Sequence, residues 1–168
     1  MTTYKPAPGL RIGHIHLHVS DISRSVAFYR DVLGFDVLFQ TPEISFLSVD
    51  GYHHHIGLNN WGTNGKQPDG IRRPGLYHFA LNYPTQKDLA RAVAHVLASG
   101  HRIDGAGDHY SHLAVYISDP DGNGIELAWD RDASFWLPYL GNDPDRLWEF
   151  NKSLDVASLI AELEPEIA

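Results

Sequence analysis

Three side chains, far apart in the chain, have the types and surroundings to do chemistry together. His14 lies in the alternating stretch Arg11 to Val19. There His14, His16 and His18 fall on one face, while Ile12, Ile15, Leu17 and Val19 supply apolar positions, the period-two pattern of a half-buried strand. His78 lies in a second strand-like stretch, Leu76 to Leu81. Glu126 is flanked by Ile125 and Leu127, so on a strand it points away from both. A carboxylate or imidazole on an inward face is costly unless paired, and a coordinated metal is one way to satisfy it. Two imidazoles and one carboxylate form a facial set with open positions, suited to non-haem Fe(II) that must bind both a substrate and dioxygen. Taken singly, each of the three also reads as an ordinary core or surface polar group.

Composition narrows the chemistry. The chain has 168 residues, 43% hydrophobic and 20% charged, within the range of a globular domain. No cysteine is present among its residues and eleven are histidine, so a metal site must use His, Asp or Glu. The formal net charge of −8 argues against partners held by positive charge, nucleic acid or an anionic membrane. No apolar run approaches the ~20 residues needed to span a bilayer, and the N-terminus lacks a signal-peptide core. These features point to a cytoplasmic protein.

The elements that must position the three residues follow in order. Residues 1–9 read as an entry arm. A helix is expected over about 21–33, opened by Ser20-Asp21 and ended by Gly34. Strands are expected at 35–39, 44–49 and 52–58, with Asp50-Gly51 as a hairpin turn. The last of these strands contains His53-His54-His55. Residues 61–74 read as a connector. The pattern then restarts with a strand at 76–81. Thr85 opens a helix with Leu89, Val93, Val96 and Leu97 on one face, and Gly100 ends it. A short strand after His101, strands at 113–117 and 125–129, and the turn Asp119-Pro120-Asp121-Gly122-Asn123-Gly124 complete the series. Beyond residue 130 come an aromatic patch (Trp136, Leu137, Pro138, Tyr139) and an amphipathic helix over Leu154 to Leu163, which read as packing, a subunit contact or a lid.

The order β-α-β-β-β thus occurs twice, with about 64 residues between starts. His14 lies seven residues before Asp21, and His78 seven residues before Thr85. A repeat of this kind fixes architecture. One helix cannot cover both faces of a four-stranded sheet, so two modules are expected to pair around a shared cavity. The expected fold is α+β: two paired βαβββ modules with curled mixed sheets enclosing a metal cavity, plus a C-terminal helical tail. The whole is expected to be a single domain, 1–168, with module one at about 10–60, module two at about 75–130 and the tail at 131–168.

Ile12-Gly13-His14, Tyr77-His78-Phe79 and the run from Asp119 to Leu127 resemble the vicinal-oxygen-chelate superfamily. Gly51 to Leu58 is similar to the catechol 2,3-dioxygenase-type extradiol branch. The resemblance covers about residues 10–130. It implies paired βαβββ modules around Fe(II), or occasionally Mn(II), with His14, His78 and Glu126 as ligands. It further implies His54 as the acid-base, with His53 and His55 as second choices, Tyr116 as a hydroxyl contact, and His109 as a pocket residue. A small aromatic diol and dioxygen are the implied partners. Many extradiol enzymes carry two module pairs per chain, and this chain has one. The exposed edges of the modules make a homodimer the expected assembly.

Two alternatives share the fold. A glyoxalase-like isomerase or lyase usually adds an acidic ligand from the last strand of module one, and residues 52–61 contain no Asp or Glu. A metal-free binding module generally loses the triad, whereas all three positions are filled here.

Overall fold

A computed structural model describes residues 4–63, 65–66, 69–71, 74–141, 143 and 146–163. The start of the entry arm and parts of the expected connector, at 64, 67–68 and 72–73, lie outside the described residues. Contacts divide the chain into two compact units: Met1–Arg30 with Gly34–Gln67, and Asp31–Leu33 with Pro68–Ala168.

In the first unit, β1 (Ile15–His18) leads into α1 (Ile22–Ala27), which continues as a π-helical turn over Phe28–Val32. Asp21 caps α1 by accepting a hydrogen bond from the Arg24 amide at 2.8 Å, satisfying one of the free amides of the first turn. Three strands follow: β2 (Asp36–Gln40), β3 (Ile44–Ser48) and β4 (Ile56–Asn59). Their order in the sheet is β1-β4-β3-β2, with β1 parallel to β4 and the other pairs antiparallel. The turn at Asp50-Gly51 forms with both residues at positive φ, 53° and 70°, as a type I′ hairpin requires. One face of the sheet carries Leu17, Leu47, Ile56 and Leu58 into a core shared with Val26 and Tyr29 of the helical segment, all buried.

Two expectations are corrected here. The strand read over residues 11–19 is shorter, and Ile12, expected among its apolar positions, is exposed. The strand read over 52–58 begins only at Ile56. His55 keeps its backbone bonded to both neighbouring strands, its amide donating to the Leu47 carbonyl at 2.9 Å and its carbonyl accepting from the Ile15 amide at 3.0 Å, while its ring turns to the hairpin, with Nδ1 3.0 Å from Ser48 Oγ.

In the second unit the same order recurs. It comprises β5 (His78–Asn82), α2 (Gln86–Ala98), β6 (Gly105–Asp108), β7 (His112–Ser118) and β8 (Gly124–Asp130). The sheet runs β5-β8-β7-β6, again with one parallel pair, β5 with β8. Thr85 caps α2, so each module opens its helix seven residues after the expected histidine. The buried face of α2, Leu89, Val93 and Val96, packs on β8. Leu97, expected on that face, is exposed.

The tail holds α3 (Ala133–Leu140), α4 (Arg146–Glu149), β9 (Lys152–Ser153) and α5 (Val156–Ala161). It is more than a helical appendage, because β9 adds a fifth strand to the second sheet, antiparallel to β6, and α5 packs on α2. The amphipathic helix is shorter than the expected 154–163. The aromatic patch becomes α3, none of whose residues is buried. No helix among the described residues is long and apolar enough to cross a membrane.

Candidate functional site

The second sheet has two unlike faces. Phe79, Leu113, Val115, Ile117, Ile125 and Leu127 point to the core and are buried. The register puts the opposite set on the other face: Ala80 beside Glu126 beside Tyr116 beside Gly105, and Ala128 beside Ala114 beside Gly107. Glycine and alanine thus occupy much of this face, and His78, Glu126, Tyr116 and His112 stand on it, as do Asn82, Asp130 and Ser118. His109 reaches over the edge, and a Cβ on Gly107 would stand 3.0 Å from its Nε2.

Glu126 is the centre of this group. Its side chain is 9% exposed, with His78 Nε2 3.0 Å from Oε2 and His112 Nε2 3.3 Å from Oε1. The hydrogen bond from His112 is the main cause holding its carboxyl below the usual range, against the opposing effect of burial. The group is thus an ionised carboxylate with one oxygen facing each imidazole. Tyr116 OH lies 3.0 Å from His109 Nε2. Burial, then the Glu126 charge, pushes the Tyr116 phenol up. Burial, then His112, lowers the His109 imidazole. The turn that feeds β8 is set by Asp119, whose Oδ1 accepts from the amides of Asp121 and Asn123, each at 2.9 Å. It starts the strand at Gly124 and so fixes which way Glu126 points.

In the first unit, His14 is exposed in the segment just before β1. The His54 ring lies 4.3 Å from that of His14 and 4.7 Å from that of Phe46. Burial, then His14, lowers the His54 imidazole. His53 Nδ1 is 2.8 Å from His54 Nδ1. The corresponding registers identify the counterpart of Glu126. If His14 matches His78, then His16 with Gly57 matches Ala80 with Glu126, and Phe46 matches Tyr116. The first module therefore has Gly57 where the second has its carboxylate. The His16 ring fills the space above it: a Cβ on Gly57 would lie 2.7 Å from His16 Nδ1. Asn59 Nδ2, 2.9 Å from His16 Nε2, holds that ring in place.

The structure thus gathers His78, Glu126, Tyr116 and His109 in the second unit, and His14 with His54 and His53 in the first. Sequence reasoning missed His112. Its place at the first residue of β7, on the same face as Tyr116 four residues later, was the available signal. Of the other aromatics, Trp61 stands 6.4 Å from the His16 ring. Tyr110 packs instead with Phe135, Tyr139 and Phe150, and Trp136 Nε1 donates to the Arg131 carbonyl.

The donor chemistry of the second unit suits a divalent cation. Donors at right angles around an ion, each about 2.1 Å from it, are about 3.0 Å apart. His78 Nε2 and Glu126 Oε2 have that separation, 3.0 Å. Among the described residues, no group of three or more His, Asp or Glu is placed to hold a metal ion.

The model of the Glyoxalase/Bleomycin resistance protein/Dioxygenase superfamily matches residues 11–127. This chain belongs to that superfamily. It is 39% identical over 130 residues to a catechol-2,3-dioxygenase of Bacillus subtilis, covering 74% of this chain and 43% of that protein. It thus spans less than half the length of that relative. It is 29% identical over 133 residues to a lactoylglutathione lyase of Salmonella typhimurium, covering 74% of this chain and 96% of that protein. A solved glyoxalase/dioxygenase from Nostoc punctiforme shares the fold, with a TM-score of 0.63 and 22% identity over 79% of this chain and all of that one, 100%.

Proposed function

We propose that the chain is an extradiol ring-cleaving dioxygenase acting on a small catechol-type diol with dioxygen, its Fe(II) (or Mn(II)) held by His14, His78 and Glu126. The observation that carries this reading is Gly57. A lyase of this superfamily is expected to add a carboxylate from the last strand of its first module. Here the register position matching Glu126 has no side chain, and the His16 ring closes the space. The resulting donor set, two imidazoles and one carboxylate, leaves coordination open for a chelating substrate and a gas. The 39% identity to a catechol-2,3-dioxygenase points the same way.

When bound, the metal supplies Lewis acidity toward two vicinal oxygens and electron exchange with dioxygen. The chain's own residues manage binding and protons. Glu126 is ionised and supplies fixed negative charge. The Tyr116 hydroxyl stays protonated, since its pKa is raised, and can donate to a substrate oxygen. His109, 3.0 Å away, aims that hydroxyl. His54 is lowered by burial and by His14, so its ring is neutral near pH 7. It can take a proton from a catechol hydroxyl and return it.

A glyoxalase-type lyase is the second reading, favoured by length: the match covers 96% of the Salmonella lyase. One experiment separates the two. The protein is reconstituted anaerobically with Fe(II) and mixed with catechol in air. A yellow ring-fission absorbance is the expected result. No yellow product, with turnover of a hemithioacetal by the Ni(II) or Zn(II) form, overturns the dioxygenase reading.

A further inference from the structure

His112 is unexplained by the roles assigned so far. It opens β7, and its Nε2 lies 3.3 Å from Glu126 Oε1. Its other nitrogen, Nδ1, lies 2.9 Å from Ser111 Oγ. The hydroxyl's other acceptor, the His109 carbonyl, is farther, at 3.5 Å. A hydroxyl donating to Nδ1 selects the tautomer with hydrogen on Nε2, the one that donates to Glu126. The ring also stacks on His109, with centroids 4.7 Å apart and planes at 30°, and His109 in turn meets the Tyr116 hydroxyl.

We infer that His112 is a positioning residue: it anchors Glu126 Oε1 so that Oε2 faces His78 and the cation, and its stack keeps His109 aimed at Tyr116. The inference rests on the metal reading proposed above. A carboxylate can rotate about its terminal bond and offer either oxygen or both. A donor fixed on one oxygen leaves a single oxygen for the ion and lowers the cost of ordering it. Outer donors of this kind change metal affinity by about 10- to 100-fold. The support comes from one strand and one loop: Ser111 sets the tautomer, His112 holds the carboxylate, and His109 carries the effect to Tyr116.

The test is titration of the metal-free protein with Mn(II), followed by loss of the free-ion paramagnetic resonance signal, alongside thermal melts. His112→Ala and His112→Phe are expected to weaken Mn(II) binding about 10-fold or more. His112→Gln, which keeps a donor, is expected to recover most of the affinity at an unchanged melting temperature. Ser111→Ala is expected to fall between. If Glu126→Gln binds Mn(II) as tightly as the parent, the metal reading itself fails. If Glu126→Gln loses the ion while His112→Ala and His112→Phe bind as the parent does, only the role of His112 is overturned. If Gln and Phe at position 112 behave alike, with equal melting temperatures and equal losses, ring packing and not the hydrogen bond is responsible, and the inference is again overturned.

Discussion

The Tyr116 hydroxyl meets His109 Nε2 at 3.0 Å across one face of the second sheet. Tyr116→Phe removes only that hydroxyl. The ring keeps its neighbours, so the melting temperature is expected to stay within about 2 °C. The turnover number with catechol is expected to fall about 10²-fold, the scale seen when one preorganised donor is removed. Oxygen uptake measures it. Unchanged turnover would mean that the hydroxyl does not meet the substrate.

Gly124 tests how His78 is held beside Glu126. A Cβ there would lie 2.5 Å from the Tyr77 carbonyl oxygen and 3.0 Å from His78 Cβ. Backbone cannot yield cheaply, so Gly124→Ala must separate β5 from β8. A destabilisation of about 1–3 kcal/mol is expected, with weaker Mn(II) binding because His78 moves with its strand. Urea denaturation and the same titration read both effects. A variant as stable as the parent would show that the parallel pair is looser than described.

Gly57 and His16 form a pair that a double-mutant cycle can isolate. Gly57→Ala alone is expected to cost about 1–3 kcal/mol, since the added methyl meets the imidazole. His16→Ala removes the obstacle, so the double variant is expected to lose less than the sum of the two single ones, by about 0.5 kcal/mol or more. Strict additivity in the melts would deny the contact.

Asp108 and Arg131 make a two-pronged ion pair, Nη1 to Oδ1 at 2.7 Å and Nη2 to Oδ2 at 2.9 Å. Nη1 also donates to the Tyr110 carbonyl at 2.8 Å. Tyr110 is held at φ 65°, the left-handed region, which costs a non-glycine residue about 1 kcal/mol. Arg131→Leu is expected to destabilise the protein by about 1–3 kcal/mol at pH 7. The Arg131 hydrogen bonds hold the Asp108 carboxyl below its usual range. Its stabilisation is therefore complete above the unfolded value, about 4, and is lost as pH falls through the lower folded value. The gap between parent and variant should stay constant from pH 7 to about 5 and narrow below about 4, leaving the part due to the Tyr110 carbonyl. Melts across that range check it, and a gap that did not narrow at low pH would sink the assignment.

The repeat was legible because it rests on local chemistry. Asp21 and Thr85 are caps by side-chain type, and Asp119 to Gly124 is dense in turn formers, so the start of β8 and the direction of Glu126 followed. What was hidden depends on partners distant in sequence. His112 reads as a loop-end histidine until the pairing of β7 with β8 brings it to Glu126. The two-residue β9 is too short for any periodic signal and exists because the edge of β6 accepts it. His53 and His54 looked extended, but strand pairing begins only at His55, whose backbone bonds Leu47 and Ile15 while its ring turns to Ser48. Leu97 matched the helical period, yet in the last turn Val96 takes the buried position and Leu97 is exposed.

The glycines beside Glu126 leave nothing to trim and the alanines only a methyl group each. Shorter side chains there make little space for bulkier guests, so a taste for larger molecules has to be acquired at the rim. Directed evolution for new substrates would do best to leave the centres of the strands alone and vary the loops that border them.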